Sequence, residues 1–348
     1  MTKRTEAPAD VTSAPAESST SPPTPAATSW HTAIRIGIGL SLLVGVLITA
    51  FAWPAANTEP RDVPLAVAGP PEAVAQVEQQ LNAAVPDGFD LEPVADAAEA
   101  QGLIEDREVY GAIVLTPDGP PHVLTASAAS PAVAQVVQAI AAQMTSGPEG
   151  APQAPIEDVV PLPDDDPRGA GFSAAALPMV MGGMIVGIAL SFAVAGVWRR
   201  VAGGAIAAIG GGLVAALVVQ PWLGTLEGNY LANASVIALT IAAIAFTLIG
   251  LNALIGPAGI GLGAAVIFLL GNPLSGVTSA PEMLPTGWGA LGQLLPPGAG
   301  GNLLRSTSFF DGAAAGGPVL VLSTWIVLGV ALAAIGHARR PAAQVARI

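Results

Sequence analysis

Few side chains in this 348-residue chain have the types and spacing of a catalytic site. The chain has no cysteine, which excludes disulfides, thiolate metal sites and cysteine nucleophiles. Lys3 is its only lysine, so the lysine of a P-loop, which contacts nucleotide phosphates, is missing as well. No serine lies in a nucleophile elbow. The sequence therefore predicts that the chain is not an enzyme and uses no cofactor.

Acidic and imidazole side chains are the remaining candidate metal ligands. The run Asp164–Asp166 would attract a hard cation, since oxygen ligands suit calcium or magnesium. It lacks the spaced ligands and turn glycine of a calcium loop, which favours a solvated acidic linker. His31, His122 and His337 fall in a tail, a loop and a chain end, so we expect no shared metal site.

The segment 271–312 has the most informative pattern, because it is apolar and rich in proline and glycine yet holds three charges. These are Glu282, Arg305 and Asp311. We favour an ion pair between Arg305 and one of the two acids, and a ligand-binding role for Arg305 is the alternative. The candidate functional residues of this segment are Asn272, Pro273, Gly276, Pro281, Glu282, Pro285, Trp288, Pro296, Pro297, Arg305 and Asp311.

The same segment has leucines near helical spacing, with Trp288 placed to lie at the level of the lipid head groups. Non-helical backbone at membrane depth must be buried in protein or line a cavity. We therefore interpret 271–312 as a re-entrant or interfacial element that dips into the outer leaflet. The helical spacing includes Leu284, Trp288, Leu291, Leu294 and Leu295.

Composition indicates that these residues belong to a membrane protein. Hydrophobic residues make up 52% of the chain and charged residues only 11%, against about 25% in soluble proteins. The formal net charge is nevertheless −13. The net negative charge comes from residues 54–172, while the rest of the chain is nearly neutral. An acidic polar insert thus interrupts a hydrophobic chain.

Uncharged apolar runs predict six transmembrane helices, about 20 residues being enough to span a bilayer. The first covers residues 33–53 and follows a tail, 1–32, whose Pro, Ala, Ser and Thr predict disorder. A cleaved secretory signal ending near Ala50–Ala52 is the alternative for this run. The other five lie within 173–337, at about 174–197, 201–221, 233–253, 255–271 and 318–337.

Basic residues set the predicted orientation, since arginine and lysine are enriched on the cytoplasmic side. Arg199 and Arg200 lie between the second and third spans, and Arg339 and Arg340 begin a basic tail, 338–348. Six spans place all of them, with the amino terminus, in the cytoplasm. The sequence therefore predicts a multi-pass protein of the bacterial plasma membrane, with both termini cytoplasmic.

The acidic insert is predicted to be a small extracytoplasmic α/β domain, 54–146, followed by an acidic Pro-rich linker, 147–172. Asp96 is a suitable helix N-cap, and Ser130-Pro131 has the cap and first-turn proline of another helix. The strands at 110–115 and 122–126 are expected to pair across the turn at 117–121. The remaining predicted elements are strands at 64–68 and 89–94 and helices at 72–84, 96–108 and from 131.

Small residues predict close helix contacts in the membrane domain, at Gly183 with Gly187 and at Gly259 with Gly263. The pattern is compatible with a bundle or with a dimer. No acidic or basic residue lies inside the five predicted spans of 173–337, which argues against proton- or sodium-coupled transport.

The layout of one span, an outer domain and five spans resembles ABC type-2 exporter permeases and the related YhgE/Pip-like (phage infection protein) membrane proteins. Residues 272–276, 281–285 and 295–297, together with Leu304-Arg305, are similar to the segment before the last span of those families. The outer stretch 110–114 resembles the strand that closes their extracellular region. The likeness covers roughly residues 33–337, mostly as topology.

This resemblance implies the transmembrane subunit of an exporter for a hydrophobic or amphipathic substrate. Its partners would be the lipid bilayer, a separate ATP-binding subunit, and a second copy or a second permease, with no nucleic acid. One departure is the cytoplasmic link at 198–203, which is too short for the coupling helix on which the ATPase acts. A non-transporting surface protein whose outer domain binds an envelope partner or phage is therefore the main alternative, ahead of an intramembrane enzyme.

Overall fold

The computed structural model describes residues 28–116, 119–144 and 154–345, as a mainly helical protein with one small sheet. Of these, residues 28–46 belong to one unit and the described residues from 47 onward to another. Helix α1, Trp30–Ala56, begins in the first unit and ends in the second. It starts before the predicted residue 33 and continues unbroken through Ala50–Ala52. Most of the predicted tail lies outside the described residues.

The acidic insert folds as the predicted α/β alternation. Its sheet has the order β2-β1-β3-β4-β5, with β1 parallel to β2 and β3, β3 antiparallel to β4, and β4 parallel to β5. The pairing of β3 with β4 confirms the predicted hairpin. The elements are β1 Val63–Ala68, α2 Pro71–Ala84, β2 Phe89–Val94, α3 Ala97–Glu105, β3 Gly111–Val114, β4 His122–Thr125, α4 Pro131–Met144 and β5 Ile156–Asp158.

Local signals account for the starts of two of these helices. The Asp96 carboxylate accepts hydrogen bonds from the backbone N–H groups of Ala98 and Glu99, which satisfies donors that a helix end leaves unpaired. The Ser130 hydroxyl accepts from the N–H of Val133 at 3.2 Å. Both predicted caps are thus confirmed.

The interior strand β1 is buried along most of its length, as expected of a parallel strand covered on both faces. Leu65 and Val63 are fully buried, and Ile104 of α3 is also fully buried. Arg107 and Tyr110 lie in the connection between α3 and β3, so the sheet domain positions both.

Strand β5 corrects the predicted boundary of this domain. Residues 156–158 lie in the stretch expected to be a linker, yet Ile156 pairs with Val123 and the N–H of Val159 donates to the carbonyl of Thr125. The strand adds an edge to the sheet, so the domain extends beyond residue 146. A three-residue segment near several prolines has no local pattern that predicts a strand. Residues 156–158 form a strand because they pair with β4.

Five helices of the described residues are long and apolar enough to cross a membrane, judged by length and composition. They are α1, α5, α6, α7 and α11. The predicted span at 255–271 forms instead a shorter apolar helix, so the six-span prediction is not confirmed. The helices of this half are α5 Ala170–Ala193, α6 Val197–Leu217 with a π-helical turn Val218–Trp222, α7 Tyr230–Ile255, α8 Pro257–Ala264 with a π-helical turn Ala265–Gly271, α9 Trp288–Gln293, α10 Pro296–Phe309 and α11 Gly316–Val345.

Helix α7 is the centre of the membrane domain and packs against α5, α6 and α11. The predicted small-residue contacts are confirmed inside this single chain. Gly183 and Gly187 of α5 lie against Ile244 and Leu248 of α7. Gly259 and Gly263 bring α8 against α7 in the same way. A larger residue at these positions would push the helices apart.

The link between α5 and α6 differs from the prediction. It comprises residues 194–196, while residues 198–203 are already helical. Arg199 and Arg200 therefore lie in the first turn of α6, and Arg200 Nε donates to the carbonyl of Val194 at 2.7 Å. At the other end, α11 continues through Arg339 to Val345, beyond the predicted residue 337.

Candidate functional site

The segment between α8 and α11 is folded tightly on itself. Gly292 of α9 lies so close to the carbonyl of Leu274 that a Cβ atom there would overlap it. Gly276 has φ +67, a left-handed conformation that glycine adopts without strain, and it turns the chain beneath Pro281. The leucines near helical spacing do not all lie on one helix, because α9 ends at Gln293 and Leu295 is already the N-cap of α10.

This segment also contacts the side of a membrane helix. The indole Nε1 of Trp325 donates to the carbonyl of Leu294 at 2.8 Å. Trp325 lies nine residues after Gly316, which places the contact about 13 Å along α11 from its start. Trp288 packs on Trp53, with ring centroids 4.8 Å apart.

A cavity of about 390 Å³ lies between the sheet domain and the segment 271–312. The sheet domain contributes the charged residues Arg61 and Arg107 and the phenol ring of Tyr110. The segment contributes the remaining wall, part apolar and part charged. Its lining includes Gly276, Val277, Pro281, Glu282, Leu284, Pro285, Gln293, Asn302 and Arg305.

Arg305 is buried in α10, with 6% of its surface exposed. Its Nη2 donates to the carbonyl of Val277 at 3.0 Å, and its guanidinium carbon lies 4.9 Å from the ring centre of Phe172. Its Nε has no hydrogen-bond partner. The predicted ion pair with Glu282 or Asp311 is wrong: among the described residues, Arg305 forms no ion pair.

Arg107 faces the same cavity from the end of α3. Its Nη1 donates to the carbonyl of Asn302 at 3.2 Å and to the hydroxyl of Ser306, so it joins the sheet domain to α10. Its guanidinium lies 5.2 Å from the ring centre of Phe310. Its Nε is buried without a partner. Burial lowers the pKa of Arg107, against the raising effects of Tyr110 and Glu282.

Burial lowers the pKa of Arg305 to about 10, and the neighbouring charge of Arg107 acts in the same direction. Both guanidinium groups therefore remain charged at neutral pH. The main cause in each case is removal of a positive charge from water, which an ion partner ordinarily offsets. A buried cation on α10, Arg305, and a partly buried cation of the sheet domain, Arg107, thus line the same cavity.

Glu282 is occupied by another partner, which explains why it does not pair with Arg305. The hydroxyl of Tyr110 donates to Glu282 Oε2 at 2.7 Å. Burial raises the pKa of the Tyr110 phenol, and the charge and hydrogen bond of Glu282 raise it further. The phenol therefore stays protonated and remains a donor.

The third arginine of the cavity, Arg61, is neutralised locally. It forms an ion pair with Glu59 and donates to the carbonyls of Asn57 and Met283. The backbone joins here as well, because the N–H of Arg61 donates to the carbonyl of Glu282 at 3.0 Å. Asp62 and Glu108 also line the cavity but are exposed to solvent.

The structure brings five of the predicted residues to the cavity and leaves six elsewhere. Pro296 and Pro297 are buried at the start of α10, and Asp311 is exposed in the turn after it. The carbonyl of Asn272 accepts from Ser275, and Pro273 lies beside it. Trp288 packs on Trp53. Those at the cavity are Gly276, Pro281, Glu282, Pro285 and Arg305.

Arg107 is the functional candidate that the sequence analysis missed. It is one of only three arginines among nineteen acidic residues between positions 54 and 172, and it lies shortly before the apolar run that forms β3. A basic residue so placed in an acidic domain was the available signal.

No group of three or more His, Cys, Asp or Glu residues that could hold a metal occurs in the part of the chain that the structure describes. Asp166, expected to be solvated in a linker, is instead buried with 6% of its surface exposed. Its carboxylate accepts from the N–H of Phe172 at 2.9 Å. It therefore caps the start of α5.

The fold and the cavity define a mainly helical, membrane-embedded protein that carries a small α/β sheet domain. No family model, curated protein or solved structure matches the chain. The function therefore has to be argued from the geometry of the site.

Proposed function

We propose that the chain is the transmembrane subunit of an ABC type-2-like exporter that moves an amphipathic or hydrophobic molecule out of a bacterial cell. A separate chain supplies the ATPase, and a second copy or second permease completes the pathway. The observation that carries this proposal is the cavity shared by the sheet domain and the segment 271–312.

The two parts are joined through their cores, which supports a common working unit. Phe310, at the end of α10, belongs to the same buried cluster as Ala66 of β1 and Ile104 of α3. Phe309 packs against both this cluster and the main cluster of the membrane domain. A movement of α10 would therefore shift the sheet domain, as an exporter that opens on its outer side requires.

The cavity wall suits an amphipathic substrate. Leu284, Pro285 and Val277 offer apolar surface, while Arg107 and Arg305 offer positive charge. Ligand sites commonly combine apolar walls with a few polar groups that fix orientation. The contact of Leu294 with Trp325 of α11 supports a re-entrant placement of this segment, within reach of lipid.

The second candidate is a non-transporting surface protein whose outer domain binds an envelope partner or phage. The link 194–196 favours it, because three residues leave no room there for a cytoplasmic coupling helix. The shared core favours the exporter, since a receptor domain needs only an anchor.

Co-purification from mild detergent tests the proposal directly. We expect a P-loop ATPase to be recovered with the full-length chain. Deleting this chain, or replacing the P-loop lysine of that ATPase, should then cause the same amphipathic compound to accumulate inside the cell. The proposal fails if no ATPase is recovered and the compounds outside the cell are unchanged; capture of an envelope partner under those conditions would support the surface protein.

A further inference from the structure

Two arginines of the cavity, Arg305, which is buried, and Arg107, which is partly buried, have no ion-pair partner among the described residues. Arg305 uses one of its five N–H donors in a hydrogen bond, to the carbonyl of Val277. Arg107 donates through Nη1 to a carbonyl and a hydroxyl. The Nε groups of both are buried without a partner. Carbonyls, hydroxyls and aromatic rings orient a guanidinium, but they do not neutralise it.

The acidic groups around the cavity supply only part of the neutralising charge, because Glu282 acts electrostatically on Arg107 and does not suffice for both arginines. Glu282 accepts a hydrogen bond from Tyr110 and forms no ion pair with either arginine in the described structure. Asp62 and Glu108 are exposed to solvent, where water screens their charge. Arg61 is already paired with Glu59. The buried part of the cavity therefore has two cations and one carboxylate.

We propose that this cavity is a binding site for a phosphate group, held between the guanidinium groups of Arg107 and Arg305. Arginine binds oxyanions through pairs of parallel N–H donors, and a phosphate offers enough oxygen atoms for two arginines on different walls. Arg107 comes from the sheet domain and Arg305 from α10, so the bound group would bridge the two parts of the protein. The site does not depend on whether the chain transports anything.

The surroundings fit either a free phosphate or the head group of a lipid. A volume of about 390 Å³ holds a phosphate with a small substituent and does not hold a complete lipid. Gly287 and Gly289 line the cavity on either side of Trp288, whose ring packs on Trp53. Paired tryptophans are typical of the head-group level of a membrane. Acyl chains could thus lie outside while the phosphate enters.

Binding to the full-length protein tests this proposal in two arms. The protein is placed in nanodiscs of phosphatidylcholine. In one arm, bound inorganic phosphate is counted by equilibrium dialysis with a radioactive label. In the other, phosphatidic acid is added to the nanodiscs and the bound lipid is counted by native mass spectrometry. We expect phosphatidic acid to bind, and inorganic phosphate to bind as well if the phosphate alone is sufficient.

Arg107→Gln and Arg305→Gln should each lower the affinity at least about tenfold, because each removes charge-assisted hydrogen bonds. Arg61→Gln is the matched control: it removes an arginine from the same cavity, but one already neutralised by Glu59. The affinity of Arg61→Gln for the phosphate probe should stay within about twofold of the wild-type value. Phosphatidic acid should also raise the thermal unfolding midpoint of wild type and leave that of the two site variants unchanged.

Binding in both arms, or of phosphatidic acid alone, with loss in the two site variants supports the proposal and identifies the source of the phosphate. The proposal is overturned if neither probe binds, or if Arg61→Gln loses as much affinity as the site variants. If Arg305→Gln does not fold, Arg305→Lys keeps the charge without the paired donors. The proposal would then be overturned if Arg305→Lys and Arg107→Gln, each tested as a single variant, both bind the probe as tightly as wild type.

Discussion

Tyr110 and Glu282 lie 172 positions apart in the chain, yet one hydrogen bond between them connects the sheet domain to the segment beside α10. The contribution of this hydrogen bond to stability depends on burial, because a partly buried carboxylate that loses its donor is not fully rehydrated. This bond also removes Glu282 as a partner for Arg305. A single phenol therefore determines how the charges of the cavity are distributed.

Tyr110→Phe tests this role. The substitution keeps the ring and removes the donor, so we expect the free energy of unfolding to fall by about 1–2 kcal/mol. Tyr230→Phe is the matched control, since Tyr230 is the other tyrosine of the chain and donates to the exposed carbonyl of Leu213 at 2.7 Å. We expect a loss of about 0.5 kcal/mol there. Denaturant titration in detergent would show this difference, and equal losses would contradict it.

The pH dependence of stability gives an independent test of the same bond. The pKa of Tyr110 is raised above its ordinary value of 10.0, so the folded protein holds the phenolic proton more tightly than the unfolded chain does. The resulting stability is complete below that ordinary value and is lost as the pH rises above it. The advantage of wild type over Tyr110→Phe should therefore shrink between about pH 9 and about pH 11 in thermal unfolding. A constant advantage over this range would contradict the buried phenol.

At the scale of elements, glycine sets the distance between the central helices. Gly250 of α7 faces the carbonyl of Gly329 of α11, and a Cβ atom on Gly250 would lie 2.2 Å from that oxygen. Both partners at this point are backbone, so neither can move aside by a side-chain rotation. The contact is therefore intolerant of one added carbon.

Gly250→Ala should destabilise the folded protein by about 1–3 kcal/mol, the usual cost of overpacking. Gly210→Ala is the control: Gly210 also lies in a membrane helix, α6, but nothing lies within 4 Å of an added Cβ. That change should be neutral or stabilising by up to about 1 kcal/mol, because alanine favours helix over glycine. Thermal unfolding in detergent measures both, and a stable Gly250→Ala protein would show that α7 and α11 pack less closely than described.

Local sequence signals were sufficient for most elements of the sheet domain. Asp96 and Ser130 mark the helix starts that they cap, and apolar runs mark the strands. Strand β5 was missed because its pairing with β4, rather than its own residues, makes it a strand. The predicted span at 255–271 was judged by hydropathy, which does not register that Gly256 and Pro257 divide it from α7 and leave it short.

Long-range contacts account for what the sequence could not predict at the site. Arg107 meets Asn302 across 195 positions, and no local pattern relates them. The expected pairing of Arg305 with Glu282 failed for the same reason, since Tyr110 comes from another domain. Five of the residues selected in the segment 271–312, whose glycines and prolines are unusual for a soluble loop, line the cavity.

At the scale of the whole molecule, the orientation of the chain in the membrane is a prediction. The absence of cysteine makes this prediction easy to test. The chain has no cysteine, so single cysteines can be introduced without removing any. Glu78 of α2 and Ala195 of the link 194–196 are both exposed. The positive-inside rule places the first outside the cell and the second in the cytoplasm.

A membrane-impermeant maleimide should label Glu78→Cys in intact cells and Ala195→Cys only after the cells are permeabilised. The unsubstituted chain is the control and should not react in either case. Labelling is measured on a gel. The opposite pattern for the two positions would show that the orientation is the reverse of the predicted one. Labelling of both in intact cells would contradict a membrane-spanning α5, the one long apolar helix between the two positions.

The central position of α7 has a consequence for the order of synthesis. Helices α5 and α6 leave the ribosome before α7, yet the glycines through which they pack, Gly187 and Gly212, lie against residues of α7. Until α7 is translated, these grooves face lipid with nothing to fill them. Helix α7 therefore joins two helices that were translated before it. We expect a nascent chain that stalls before Tyr230 to be recognised by membrane quality control.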